Sequence, residues 1–178
     1  MTQLTPPVGD RDHAEGPADA RVTLVEYGDF ECPRCGEAHA VIKGVQKAFG
    51  SNLRFVFRHF PLRSSHPHAL AAAAAAEAAA EQGRFWAMHD RLFEHQGALG
   101  DSDLRRHAEK IGLDLVRFEQ ALGSPGRESR VLEDLSSGAR SGVNGTPSLY
   151  INGSRYDGPQ DRASLVLALA RAAVAMAG

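Results

Sequence analysis

The segment VTLVEYGDFECPRCG, residues 22–36, decides how the chain reads. Val22 to Tyr27 is a run rich in β-branched residues, the composition of a buried strand. The turn Gly28-Asp29-Phe30-Glu31 follows, and then Cys32 and Cys35, the only cysteines in the chain. From Cys32 to about Phe49, apolar Val41, Ile42, Val45 and Phe49 recur at helical spacing, and Gly50 is a helix stop. Leu53 to Phe57 alternates as a second strand. A strand, a helix and a strand in this order predict a βαβ unit with a right-handed crossover.

Two residues separate the cysteines, and three uses of such a pair can be weighed. As a staple it closes almost no loop, and stabilisation by a disulfide grows with loop length. As a zinc clip it is two ligands short of the usual four. His39 is a candidate third, and His59, His66 or His68 would have to fold in as a fourth. As a redox centre it fits its surroundings. A helix that begins after a strand places Cys32 where free backbone N–H groups and the helix dipole favour an anion. The thiolate, not the thiol, is the nucleophile. Pro33 suits a first helical turn because its missing N–H has no task there. Arg34 adds a permanent positive charge beside the sulfur. Cys35, one turn further in, is expected to be buried and able to displace whatever Cys32 captures. Asp29 and Glu31 are expected to be solvated, so that their charges do not cancel these effects.

The remaining sequence supplies the frame. A chain of 178 residues, 43% hydrophobic and 24% charged with a net charge of −2, reads as soluble and globular. That charge advertises neither nucleic acid nor an anionic membrane, and no apolar run is long enough to span a bilayer. Residues 1–20, rich in Pro, Gly, Asp and Ala, read as an extended arm. They lack the basic start and apolar core of a secretory signal, so a cytoplasmic location is expected, with an exported mature form left open. From residue 63 to 142 no convincing strand is seen. HPHALAAAAAAEAAAEQG predicts a helix ending at Gly83. RFWAMHDRLFEHQ sets Phe85, Met88, Leu92 and Phe93 on one face, and Phe85, Trp86 and Phe93 are expected to form the core of this block. SDLRRHAEKIG begins at a capping Ser102, DLVRFEQALG runs from a capping Asp114 to Gly123, and a further helix is expected from about Pro125 to Ala139. Leu149–Ile151 and Arg155–Tyr156 form a hairpin about Asn152-Gly153. Residues 161–177 form a closing helix capped by Asp161. The fold class is therefore α/β. A domain of residues 21–62 and 143–178 is interrupted by a helical insertion, 63–142.

Three features resemble the DsbA-like branch of the thioredoxin superfamily of thiol-disulfide oxidoreductases. VEYGDFECPRC is similar to that branch's strand, turn and active-site helix. Glu26 stands where the branch carries a buried acid beneath the second cysteine. GVNGTPSLYING resembles its loop with a cis-proline beside the active site, here Thr146-Pro147. The helical block distinguishes such proteins from plain thioredoxins. The branch also includes smaller members without export signals and domains attached to transporters, and residues 9–33 are similar to those.

The resemblance implies thiol-disulfide exchange with protein or small-molecule thiols and disulfides. Its catalytic residues would be Cys32, Cys35 and Glu26, the last relaying a proton to and from Cys35. Pro33, Arg34, Thr146 and Pro147 would support them. A cis bond at Pro147 would leave the Thr146 backbone free to pair with a substrate strand and would keep metals from the thiols. Neither metal nor cofactor is expected. A redox partner for recycling is, and so is a monomer without nucleic acid or membrane insertion. The sequence departs from the periplasmic enzyme of the branch in two places, with Pro-Arg for Pro-His between the cysteines and Thr for Val before the proline. Both leave the redox direction open. Two rival classes remain: a non-catalytic zinc- or thiol-binding module, and a glutathione-dependent transferase or isomerase of the same fold, which needs no second cysteine.

Overall fold

The computed structural model describes residues 2–175. Strand β1 is His13–Glu15 and β2 is Val22–Gly28, followed by helix α1, Pro33–Phe49, and strand β3, Leu53–His59. β2 and β3 are parallel, with Val22 opposite Leu53 and Gly28 opposite His59, and α1 makes the crossover between them. The helical block holds α2 (Ala69–Ala80), α3 (Phe85–Glu94), α4 (Asp101–Lys110), α5 (Leu115–Gly123) and α6 (Ser129–Arg140). The chain then returns through β4 (Ser148–Ile151), β5 (Ser154–Tyr156) and α7 (Arg162–Ala175). The sheet order is β1-β3-β2-β4-β5. β4 runs antiparallel to β2. The β4–β5 turn places Asn152 at φ 48° and Gly153 at φ 81°, the left-handed pair that a two-residue hairpin requires.

Side chains of a strand alternate between faces, and the two faces of this sheet are buried differently. Val22, Leu24, Leu53, Phe55, Phe57 and Leu149 join residues of α1, α7 and the helical block in one large core. Val25, Tyr27, Val56 and Tyr150 lie on the other face with Leu4 and Val143. Glu26 alternates with Val25 and so belongs to the α1 face, the face of the cysteines.

Four details go beyond the sequence reading or differ from it. The extended arm of residues 1–20 also joins the sheet: it provides β1, antiparallel to β3, and Asp12 grips the buried Arg58 through two bonds of 2.9 Å. Phe85 and Phe93 are not private to the insertion, because their ring centroids lie 6.2 and 5.9 Å from that of Phe57 on the sheet. α4 is capped at Gly100, whose N–H donates to Asp103, so Ser102 falls inside the first turn. α6 begins at Ser129 rather than near Pro125 because residues 124–128 form turns. Residues 176 and 177 of the expected closing helix lie outside the described residues.

Candidate active site

Cys32 is the N-cap of α1, with φ −74° and ψ 119° and Pro33 in the first turn. Its backbone is doubly fixed: its N–H donates to the Asp29 carbonyl at 3.1 Å, and its carbonyl accepts from Cys35 and Gly36 at 3.0 and 3.1 Å. No side chain caps this end, so the Arg34 N–H is left to the sulfur, and the Cys35 N–H serves both the Cys32 carbonyl and the sulfur. Cys32 is 6% exposed and Cys35 fully buried, and both are free thiols.

The two sulfurs are pushed apart in acidity. The Cys32 thiol is lowered to about 5, chiefly by the hydrogen bond from the Cys35 thiol. Burial opposes this, while Thr146 and the backbone N–H groups of Cys35 and Arg34 assist. Cys35 moves strongly upward, first through burial, then through the bond it gives Cys32 and the charge of Glu26. Arg34 thus acts through its backbone, and its exposed side chain leaves the guanidinium in solvent. The neutral Cys32 thiol donates to the Thr146 carbonyl at 3.6 Å, while the buried Thr146 hydroxyl has no partner. On ionisation the sulfur becomes an acceptor only, and this hydroxyl is the donor at hand. The Thr146–Pro147 peptide is cis.

Glu26 is buried, with Phe57 of β3 and Leu149 of β4 as its strand neighbours. Its Oε1 has no partner among the described residues. Burial, and secondly the negative charge of Cys32, push its carboxyl up to about 8. Gly28 leaves it room: a Cβ there would lie 3.1 Å from Glu26 Oε1 and 2.4 Å from the Phe57 ring.

Asp29 and Glu31 are not solvated as expected. Asp29 is buried, accepting from the Glu31 and Leu62 N–H groups at 2.8 Å each and pairing with His66 Nδ1 at 2.7 Å. Glu31 accepts from the His68 N–H at 2.6 Å and pairs with its Nδ1 at 2.9 Å. The connection from β3 to α2 therefore supplies hydrogen-bond partners to both acids. His66 is raised, first by its bond to Asp29, with the charge of Cys32 among the further causes. The sequence offers His66 and His68 only as zinc ligands; the structure instead pairs them with Asp29 and Glu31, acids and histidines alike standing at an i, i+2 spacing.

Gln96, between α3 and α4, was missed altogether. Its Nε2 donates to the carbonyls of Phe30 and Cys32 at 2.9 and 2.8 Å, tying the helical block to the nucleophile loop. Gly36 admits it, since a Cβ there would lie 2.2 Å from Gln96 Oε1. A lone glutamine in a loop carries no sequence signal. The cysteines join no metal-ligand group among the described residues: His59 groups with His13 and Glu77, and His39 with His89 and Asp90.

Residues 9–170 match the family model described as thioredoxin. The chain is 46% identical over 169 residues to an Na(+)/H(+) antiporter NhaA 1 of Salinispora arenicola; the match covers 95% of this chain and 26% of that protein. The chain thus spans about a quarter of the length of the curated relatives it matches. Among solved structures, a thioredoxin-like oxidoreductase of Silicibacter pomeroyi is similar at TM-score 0.82 and 29% identity, over 92% of this chain and 93% of that one. The thiol-disulfide exchange protein α-DsbA2 of Wolbachia pipientis shares the fold at TM-score 0.79 and 22% identity, over 90% of this chain and 86% of that one. No helix among the described residues is long and apolar enough to cross a membrane.

Proposed function

The chain belongs to the thioredoxin family, and on that premise we propose that it is a DsbA-like thiol-disulfide oxidoreductase acting on cysteines of protein substrates through Cys32 and Cys35. The observation that carries this reading is the split between the two thiols. One, at a helix start, is lowered to about 5; its neighbour is buried and raised.

In the reducing direction the Cys32 thiolate attacks a substrate disulfide, joins one sulfur and releases the other as a thiolate. Cys35 then loses its proton and attacks the Cys32 sulfur. The Cys32–Cys35 disulfide forms and the second substrate thiolate leaves, so two electrons pass to the substrate. Glu26 is the proton acceptor on the Cys35 side of the helix. In the oxidising direction each step reverses. Holding Cys32 as an anion stabilises the dithiol form and makes the disulfide the stronger oxidant. The site therefore supports an oxidising role, with a partner dithiol or disulfide restoring the starting state.

A trapping experiment tests the assignment. Cys35→Ala removes the resolving thiol and should accumulate mixed disulfides through Cys32, while Cys32→Ala should trap nothing. Equal trapping by both variants, or none by either alongside no exchange with a reduced cysteine peptide, would refute it.

A further inference from the structure

A small cleft of about 240 Å³ lies along the Pro147 loop, walled by Arg34, Asn144, Thr146, Arg155 and Gln160. Two of these residues are cations, and none is an acid. Arg155 is fixed: 19% of its side chain is exposed, and it donates to the Gly142 carbonyl and to Asn144 Oδ1. Its acidic partner, Asp157, is 75% exposed and so compensates it weakly. Arg34 is exposed and makes none of the described ion pairs. A guanidinium has five N–H donors, and Arg155 uses one on each nitrogen, to Asp157, Gly142 and Asn144, so donors remain to spare. Glu37 and Asp161 stand in the adjoining cleft, across Arg34 and Gln160. Asp161 is committed there to the N–H and hydroxyl of Ser164.

We propose that this cleft is a carboxylate subsite, so that the protein exchanges preferentially with disulfides carrying a carboxylate close to the reacting sulfur. The inference rests on the oxidoreductase reading. A guanidinium pair, one arm held by the fold and one free to close, suits a planar carboxylate. The loop carrying Asn144 to Pro147 joins the cleft to the Cys32 sulfur, since the Thr146 carbonyl is that sulfur's partner. A substrate sulfur placed for attack by Cys32 therefore brings its neighbouring groups to the two arginines. The carboxylate can belong to an acidic residue of a protein segment or to a small thiol such as glutathione.

The test is a ratio of rates. Three disulfide peptides identical except for Glu, Gln or Lys beside the cysteine are reduced by the dithiol protein. In parallel, glutathione disulfide is compared with its carboxyl esters. The Glu peptide should react about three- to tenfold faster than the Gln peptide, a typical size for a partly desolvated charge pair, and the advantage should shrink with added salt. Arg34→Lys, which keeps the charge and loses the planar fork, should weaken the preference without reversing it, and Arg34→Glu should turn it towards the Lys peptide. Using ratios removes any change these variants cause in the reactivity of Cys32 itself. Discrimination among the peptides assigns the subsite to protein segments, and discrimination only between glutathione disulfide and its esters assigns it to the small thiol. Equal rates in both series overturn the subsite and leave the oxidoreductase reading intact. Failure to exchange with every probe removes both.

Discussion

A thiol loses its proton more readily wherever dipoles converge on its sulfur, and Cys32 has four donors within reach. They are the Cys35 thiol, the Thr146 hydroxyl, and the backbone N–H groups of Cys35 and Arg34. Alkylation of the reduced protein should therefore follow a titration centred near pH 5 rather than near the ordinary cysteine value of about 8.5. Thr146→Val, which keeps the shape and removes the hydroxyl, should move that midpoint upward, and an unchanged midpoint would exclude the hydroxyl as a donor. Glu26 titrates with the opposite consequence. Its folded-state value of about 8 lies above its ordinary 4.5. The stability tied to this carboxyl is thus fully present below 4.5 and is lost as pH rises towards 8. The depressed Cys32 works the other way, adding stability above its ordinary value and losing it as pH falls towards 5. The two are separated by using the oxidised protein, where Cys32 has no proton to lose and burial still raises Glu26. Glu26→Gln should match the wild type at pH 4.5 and exceed it increasingly as pH rises towards 8 in denaturant unfolding, by about 1.4 kcal/mol for each tenfold change in proton affinity that burial alone imposes on the folded chain. Parallel pH curves for the two proteins would show that the carboxyl is not what makes stability fall with pH. The same variant should slow exchange, because Cys35 then lacks its proton acceptor.

Helix α1 and strands β2 and β3 were legible in the sequence because each carries its own periodicity and its own stop. The hairpin was legible because Asn-Gly permits positive φ at two successive positions. The connection from β3 to α2 was not. Its shape is set by Asp29 reaching from another element to the Leu62 N–H and to His66, and side chains meeting across about thirty positions leave no local pattern. The same holds for Gln96. Asp29→Ala should expose the importance of that contact. It strands the Leu62 and Glu31 N–H groups and should cost about 3 kcal/mol, since each buried donor left unpaired forfeits its full desolvation cost. His66, freed from its carboxylate, should titrate lower, as followed by its ring proton resonances. An Asp29→Ala protein as stable as the wild type, with His66 unmoved, would show the connection to be held some other way.

At the scale of the molecule, the division into a thioredoxin-like part and a helical insertion describes the order of the chain, while the packing ignores it. Phe57 of the sheet meets Phe85 and Phe93 of α3, Phe30 of the nucleophile loop lies 4.8 Å from Phe93 between ring centroids, and Trp86 lies 5.6 Å from Phe55. The arm residue His13 stacks on Phe85 at 3.5 Å. Joining elements far apart in sequence, this core was invisible to a reading that proceeds segment by segment, which assigned the aromatic residues to the insertion alone. Its thermodynamic consequence is one cooperative unit, because a core shared by two parts cannot be lost by one of them separately. The chain has a single tryptophan, so its fluorescence reports on α3 while the far-ultraviolet circular dichroism reports on all helices and strands. The two signals should share one midpoint in denaturant. Phe57→Ala removes the ring on which α3 rests and should cost about 4 kcal/mol, the usual range for a large aromatic deleted from a core. It should lower both midpoints together. If fluorescence instead changes at a lower denaturant concentration than the dichroism, α3 leaves the sheet first, and Gln96, which ties the block to the Cys32 loop, is then the place to look for a coupling between insertion and active site.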